Sequence, residues 1–291
     1  MFSGSIPALV TPFAAGRVDE EAFRVFVDWQ IAEGSSAIVP CGTTGEVPTL
    51  SNDEQHRLFT LAVETSNGRV PVIAGCGSNN TATVIEHILA AEAAGADAAL
   101  IVIPYYNKPS QAGLIAHFKA IVAASSLPIV VYNVPGRTVA DISVETLAEV
   151  ARMPSIVGVK DATGNLARVA AQRLASGPDF CQLSGNDDLA LGFNAMGGVG
   201  CISVSANVAP RLCADFQAAC QSGRWDEALT LQDRLYPLHA ALFSDASPGP
   251  TKYALNRLRP DFPTDLRLPL SDSSAESKAA VDAALAHAGL V

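Results

Sequence analysis

The chain has 291 residues, 49% hydrophobic and 16% charged, with a formal net charge of -10. That apolar fraction supports a large core and excludes disorder, while the acidic balance, with no Lys/Arg cluster, excludes a phosphate-tracking surface and hence a nucleic-acid partner. Any polar partner is expected to be small. Six cysteines (Cys41, Cys76, Cys181, Cys201, Cys213, Cys220) lack zinc-type spacing and read as reduced core residues, and the five histidines form no HxxxH or HxH pair. The start, Met1-Phe-Ser-Gly-Ser-Ile-Pro, lacks a basic region and an apolar h-region, and no long uncharged span follows, so a soluble cytoplasmic chain is expected.

Eight short apolar runs recur in order, each followed by a stretch of helical periodicity. They are Ile6 to Val10, Ala37 to Pro40, Val70 to Ala74, Ala98 to Ile103, Pro128 to Tyr132, Ile156 to Val159, Phe180 to Leu183 and Gly200 to Val204. Between the first pair, Glu20 to Glu33 sets Phe23, Phe26, Val27 and Ile31 on one face. Between the second, Asp53 to Thr65 groups Leu58, Leu61 and Ala62 behind Ser51 as N-cap. Repeated strand–helix alternation implies a parallel sheet, and eight rounds close it into an α/β (β/α)8 barrel. After Val204 only helical segments follow: Pro210 to Ser222, Arg224 to Ala246, Thr251 to Leu258 and Ser274 to Ala288, punctuated by Ser247-Pro-Gly-Pro250 and Arg259-Pro-Asp-Phe-Pro263. One of these completes the eighth unit, so a catalytic barrel over 1–224 and a helical C-terminal extension over 225–291 are expected.

A barrel of this kind carries its site at the C-terminal ends of its strands. The residues there are Cys41-Gly-Thr-Thr-Gly-Glu46, Pro104-Tyr-Tyr-Asn-Lys-Pro109, Tyr132-Asn-Val-Pro-Gly-Arg-Thr138, Lys160 and Ser184-Gly-Asn-Asp-Asp188. Lys160 ends a strand that reads as buried on both faces. Burial at such a position favours the neutral amine, the form that attacks a carbonyl, and Schiff-base chemistry follows. The plainer reading is a lysine that snorkels into water or pairs with Asp161. Tyr132 is a phenol able to pass a proton, Thr43 and Tyr106 can extend the relay, and Arg137 offers a planar fork for a carboxylate. Gly42 and Gly45 let the backbone approach an anion.

Taken singly, each feature has a structural reading. Gly42-Thr-Thr-Gly45 is a common turn without a P-loop ending. Tyr105-Tyr106 suits rim packing, and Arg137 suits a surface ion pair. Asn186-Asp-Asp188 suits a helix cap, and Gly197-Gly-Val-Gly200 a tight αβ turn.

In register, Gly42-Thr-Thr-Gly-Glu46, Tyr105-Tyr-Asn-Lys-Pro109, Tyr132-Asn-Val-Pro-Gly-Arg137 and Gly158-Val-Lys-Asp-Ala-Thr-Gly164 resemble the dihydrodipicolinate synthases. These belong to the pyruvate-dependent class I aldolase superfamily that includes N-acetylneuraminate lyase. The resemblance runs over essentially the whole chain and implies a TIM barrel. It implies that Lys160 forms a Schiff base with pyruvate and that Tyr132, Thr43 and Tyr106 relay protons, Tyr106 from a neighbouring subunit across a tight-dimer interface. It places Thr44 at the pyruvate carboxylate and Arg137 at that of the aldehyde substrate, with Gly185 and Ile202 lining the pocket. The implied reaction condenses pyruvate with L-aspartate 4-semialdehyde, losing water, on the way to diaminopimelate and lysine. It needs no organic cofactor and no metal, and the implied assembly is a homotetramer, a dimer of tight dimers.

Two further expectations follow. Lysine-inhibited bacterial members often carry His, His and Glu where this chain has Asn52, Gln55 and Thr83, so feedback by lysine is expected to be weak or absent. The alternatives are a pyruvate lyase acting on a sialic acid or 2-keto-3-deoxy sugar acid, which Arg137 disfavours, and a catalytically silent barrel, which the joint presence of Lys160 and Tyr132 disfavours.

Overall fold

A computed structural model describes residues 2–291. The apolar runs become parallel strands β1 (Gly4–Pro7), β2 (residues 38–39), β3 (Ile73–Gly75), β4 (Ala98–Val102), β5 (Ile129–Asn133), β6 (Ile156–Asp161), β7 (Cys181–Ser184) and β8 (Gly200–Ser203). Seven of them form one continuous sheet in which β8 pairs with β1. The short β2 closes the ring through bridges Ala8 to Val39 and Ile38 to Val72. Its ladder is regular: Val39 N donates to Pro7 O and Leu9 N to Val39 O, both at 2.9 Å, and Ile73 N donates to Ile38 O at 2.9 Å. With the ring closed, the barrel strands leave no open edge among the described residues.

Side-chain alternation divides the core into two layers. Ile6, Val39, Ile73, Leu100, Val130, Leu183 and Ile202 fill the barrel interior. Ile38, Ala99, Ile101, Ile129 and Val131 point outward against the helices, onto Phe23, Leu58, Ile88 and Phe118. Burial of both strand faces explains why these runs read as continuously apolar. The helices are α1 (Glu20–Ala32), α2 (Asn52–Ser66), α3 (Thr81–Ala94), α4 (Gln111–Ala124), α5 (Val144–Val150), α6 (Ala167–Ser176), α7 (Ala190–Ala195) and α8 (Pro210–Gln221). Ser51 caps α2 as expected, in a reciprocal capping box with Glu54. On α1 the buried face is Phe23, Phe26, Val27 and Gln30, with Ile31 half-buried beside it.

The chain ends in α9 (Trp225–Ala241), α10 (Gly249–Leu258) and α11 (Ala275–His287). Helix α9 packs on α8 and α11, and α10 packs on α11. Helix α9 stops at Ala241, short of the Ala246 expected from periodicity. A hairpin of Phe13–Ala14 with Arg17–Val18 follows β1 and buries Phe13. Among the described residues no helix is long and apolar enough to cross a membrane.

Candidate active site

Four strands set the floor of the site in one register row, Val102 to Tyr132 to Lys160 to Leu183. Lys160 reaches this row facing inward because β6 carries an irregularity. The β5–β6 ladder pairs Ile129 with Ile156 but Val130 with Gly158, so Val157 is an extra residue. Simple alternation from the outward Ile156 would turn Lys160 outward. The bulge reverses the parity, leaving Val159 against the helices and Lys160 in the barrel. Gly158 makes the bulge possible, since a Cβ there would lie 2.5 Å from Cys181 O.

Lys160 is 6% exposed, and its Nζ sits 4.2 Å from the centroid of the Tyr132 ring, itself 7% exposed. Among the described residues no carboxylate lies within ion-pair distance of the amine. The plainer reading, pairing with Asp161, is overturned. Asp161 points outward and is saturated by Thr163 N at 2.8 Å, Thr163 Oγ1 at 2.7 Å, Gln172 Nε2 at 2.7 Å and Arg168 Nε at 3.2 Å. Asn133, its β5 partner, donates to Asp141 at 2.8 Å, and Arg168 lies 3.6 Å from that same carboxylate. The outward neighbours of Tyr132 and Lys160 are thus tied together behind the site. Gly185 lies close on the other side of the amine, because a Cβ there would be 3.0 Å from Lys160 Cε. Ile202 is buried in the same interior cluster as Tyr132.

Thr43 and Thr44 occupy a single 3-10 turn, Thr43–Gly45, after β2. The glycines do not supply its left-handed positions. Those are Cys41 at φ 57° and Glu46 at φ 56°, conformations unusual for residues with a Cβ. Gly45 is needed for closeness instead, as its carbonyl accepts from Thr11 Oγ1 at 2.7 Å and a Cβ would sit 3.0 Å from Leu9 O. Thr44 is buried.

Thr43, Tyr105, Val134 and Arg137, with Val47, Pro48, Gly77, Val102 and Thr138, line an open cleft of about 240 Å³. Arg137 is exposed there and pairs with no carboxylate among the described residues, so the surface ion pair suggested by its sequence context does not form. An unpaired guanidinium at the mouth of a cleft whose wall continues through Val102 and Val134 toward Tyr132 is free for an anionic ligand. Tyr106 is not part of this cleft. It stands 87% exposed at φ 73°, and Tyr105 occupies the lining in its place.

The Asn186-Asp-Asp188 turn does cap, but not its own helix. Asp187 accepts from Val204 N at 2.9 Å and Ser205 N at 3.2 Å, and from Ser203 Oγ, tying the end of β7 to the turn after β8. Helix α7 begins at Ala190, and its N-cap Leu189 offers no side-chain cap. Gly197 at φ 105° forms the tight αβ turn before β8. The six cysteines are free and buried, and burial pushes their thiols up, Cys181 to about 11.

Sequence reasoning missed what stands behind the threonine turn. Lys252 from α10 is wholly buried and reaches Glu46 Oε1 at 2.6 Å, while Arg267 N donates to Glu46 Oε2 at 3.1 Å. Glu46 was visible as the last residue of a motif, but nothing in a single sequence links it to a lysine two hundred positions later. Among the described residues no cluster of three or more His, Cys, Asp or Glu is placed to hold a metal ion.

An amine without a carboxylate partner at the floor, a phenol beside it and a free guanidinium at the mouth can join a 2-oxo acid to a second acidic substrate. Residues 1–288 match the Dihydrodipicolinate synthetase family. The chain belongs to that family. It is 68% identical over 290 residues to the 4-hydroxy-tetrahydrodipicolinate synthase of Rhizorhabdus wittichii, and 64% identical over 291 residues to that of Sphingopyxis alaskensis, each alignment covering 100% of both chains. The chloride-inhibited dihydrodipicolinate synthase of Acinetobacter baumannii, solved in complex with pyruvate, matches with a TM-score of 0.97 at 41% identity over 100% of both chains. The resemblance drawn from four motifs is therefore borne out, as is the closed barrel with its helical C-terminal part. Within the dihydrodipicolinate synthetase family the chain is an enzyme, a lyase.

Proposed function

We propose that the chain is a 4-hydroxy-tetrahydrodipicolinate synthase, condensing pyruvate with L-aspartate 4-semialdehyde for diaminopimelate and lysine biosynthesis. The observation that carries this reading is Lys160, turned into the barrel beside Tyr132, whose strand partner Val102 lines the cleft that bears an unpaired Arg137. Synthases of that name lie at 63% identity and above, with full coverage.

In this reading the Lys160 amine attacks the C2 carbonyl of pyruvate. The carbinolamine loses water to give the imine, and a C3 proton leaves to give the enamine. Its C3 then bonds to the aldehyde carbon, and the amine of the second substrate displaces Lys160 at C2. Each step moves a proton to or from a nitrogen, oxygen or carbon within reach of a hydroxyl, the role of Tyr132 with Thr43. Thr44 holds the pyruvate carboxylate, Arg137 the aldehyde's carboxylate, and Gly185 and Ile202 shape the pocket around the imine. Tyr106, exposed and outside the lining of its own cleft, serves the site of a second copy. A homotetramer of tight dimers, a cytoplasmic location and a division into barrel (1–224) and extension (225–291) complete the proposal. The strands ending at Ser203, with α8 closing the last unit, support that division.

Arg137 also argues against a sugar-acid lyase, whose substrates call for hydroxyl recognition at the same place. Borohydride reduction in the presence of pyruvate tests the reading. A lactyl-sized mass on Lys160 with irreversible inactivation is expected, and an unmodified lysine would reject the Schiff base. Turnover of aspartate semialdehyde against sialic and keto-deoxy acids then decides the second substrate.

A further inference from the structure

Lys252 is the one lysine among the largest fully buried side chains, and the proposed reaction does not use it. It and Glu46 are both 0% exposed at the side chain, with Nζ 2.6 Å from Oε1. The ammonium also donates to Asp265 O at 2.7 Å. Burial pushes Lys252 below its ordinary value and Glu46 opposes that fall. Phe13 supports both cations of the cluster, its ring centroid 4.4 Å from Lys252 Nζ and 4.3 Å from Arg267 Cζ.

A buried ion pair is a poor device for stability alone, because apolar residues of similar volume commonly hold such a place as well. Its distinctive product is a fixed position. Here the position is that of Glu46, held at φ 56° directly after the Thr43–Gly45 turn. Glu46 N donates to Thr43 O at 3.1 Å, and Thr49 N returns to Glu46 O at 2.9 Å. Arg267 Nη1 adds a bond to Thr49 O at 2.9 Å. The segment clamped from behind by the extension is therefore the one that presents Thr43, Val47 and Pro48 to the cleft.

We propose that Glu46 and Lys252 are positioning residues for catalysis: the buried pair fixes the Thr43–Thr44 turn, so the C-terminal extension sets the geometry of the proton relay. This rests on the functional reading above, in which Thr43 acts in that relay.

The test is a double-mutant cycle on the full-length enzyme, wild type, Glu46→Gln, Thr43→Val and the two combined, with thermal midpoints measured alongside. We expect Glu46→Gln to lower kcat about tenfold when Thr43 is present and less than about twofold when it is absent, since the pair acts through that hydroxyl. Equal fold losses in both backgrounds, or a wild-type kcat for Glu46→Gln, overturn the proposal. Should Glu46→Gln fail to fold, Lys252→Arg, which keeps both charges but shifts the contact, enters the same cycle under the same criteria. Pyruvate trapping separates the two failures. A wild type that does not trap pyruvate on Lys160 defeats the functional reading, whereas trapping with an additive cycle defeats only the positioning role.

Discussion

Lys160 and Tyr132 are Cα partners on adjacent parallel strands, and the lysine Nζ lies 4.2 Å from the tyrosine ring centroid. The ring packs against the amine while the hydroxyl is left for proton transfer, so the two contributions are separable. Tyr132→Phe retains the packing and removes the proton carrier. We expect kcat to fall about a hundredfold, within the usual range for a positioned acid–base group, with the thermal midpoint close to wild type. Steady-state rates and a melting curve on the same preparation check it. An unchanged kcat would remove Tyr132 from the relay.

Arg137 has no carboxylate partner in the cleft, so its substitution leaves no buried charge orphaned. Charge-assisted hydrogen bonds to a bound carboxylate contribute about 1.5–3 kcal/mol, roughly ten- to a hundredfold in kcat/KM. Arg137→Ala should lose that factor for aspartate semialdehyde while borohydride trapping of pyruvate on Lys160 proceeds as in wild type. Equal loss in both assays would show that the division of roles between the two residues is wrong.

The eight-strand alternation was legible because each strand is buried on both faces and reads as an uninterrupted apolar run. Lys160 was legible as an anomaly at the end of one such run. Its orientation was not, because it depends on the extra residue at Val157, and a bulge changes parity without changing composition. The same limit explains Asp161, adjacent in sequence yet turned to Arg168 on the opposite face. Gly42 and Gly45 read as residues that let the backbone approach closely, whereas the left-handed conformations of this turn, at Cys41 and Glu46, carried no signal in the sequence. Lys252 was the hardest to see, since a buried lysine in a helix carries the same local signature as an exposed one.

The resemblance implies that Asn52, Gln55 and Thr83 stand where lysine-inhibited members often carry His, His and Glu, and two of the three are engaged with other residues of the chain. Gln55 Nε2 donates to Gly75 O at 2.8 Å and lies 3.4 Å from His87 Nδ1. Asn52 holds Glu86 at 3.1 Å and His87 at 3.3 Å. A ligand amine finds a hydroxyl at Thr83 where a carboxylate would be needed to attract it. We expect lysine at submillimolar concentration to leave the steady-state rate unchanged. A half-maximal effect in that range would mean that another carboxylate, such as Glu86, substitutes for the missing one.

Glu54 fastens the extension to the barrel. Arg267 Nη1 and Nη2 donate to its two carboxylate oxygens at 2.7 and 2.6 Å, and Nη2 also reaches Gly16 O at 2.8 Å. The bidentate Arg267 holds the Glu54 carboxyl down at about 2 from its ordinary 4.5. Because the folded value is the lower one, the pair's stabilisation is fully present above about pH 4.5 and is lost as pH falls toward 2. With the carboxylate 29% exposed, the linked contribution is about 2 kcal/mol. Glu54→Gln keeps the capping box with Ser51, since glutamine serves at that position, but removes the titrating charge. We therefore expect the variant to be less stable than wild type at pH 7 and nearly equal to it only below about pH 2, with the difference closing as pH falls from about 4.5 through about 2. Denaturant midpoints across that range measure it, and a gap that stays constant with pH would show that Glu54 contributes shape rather than charge.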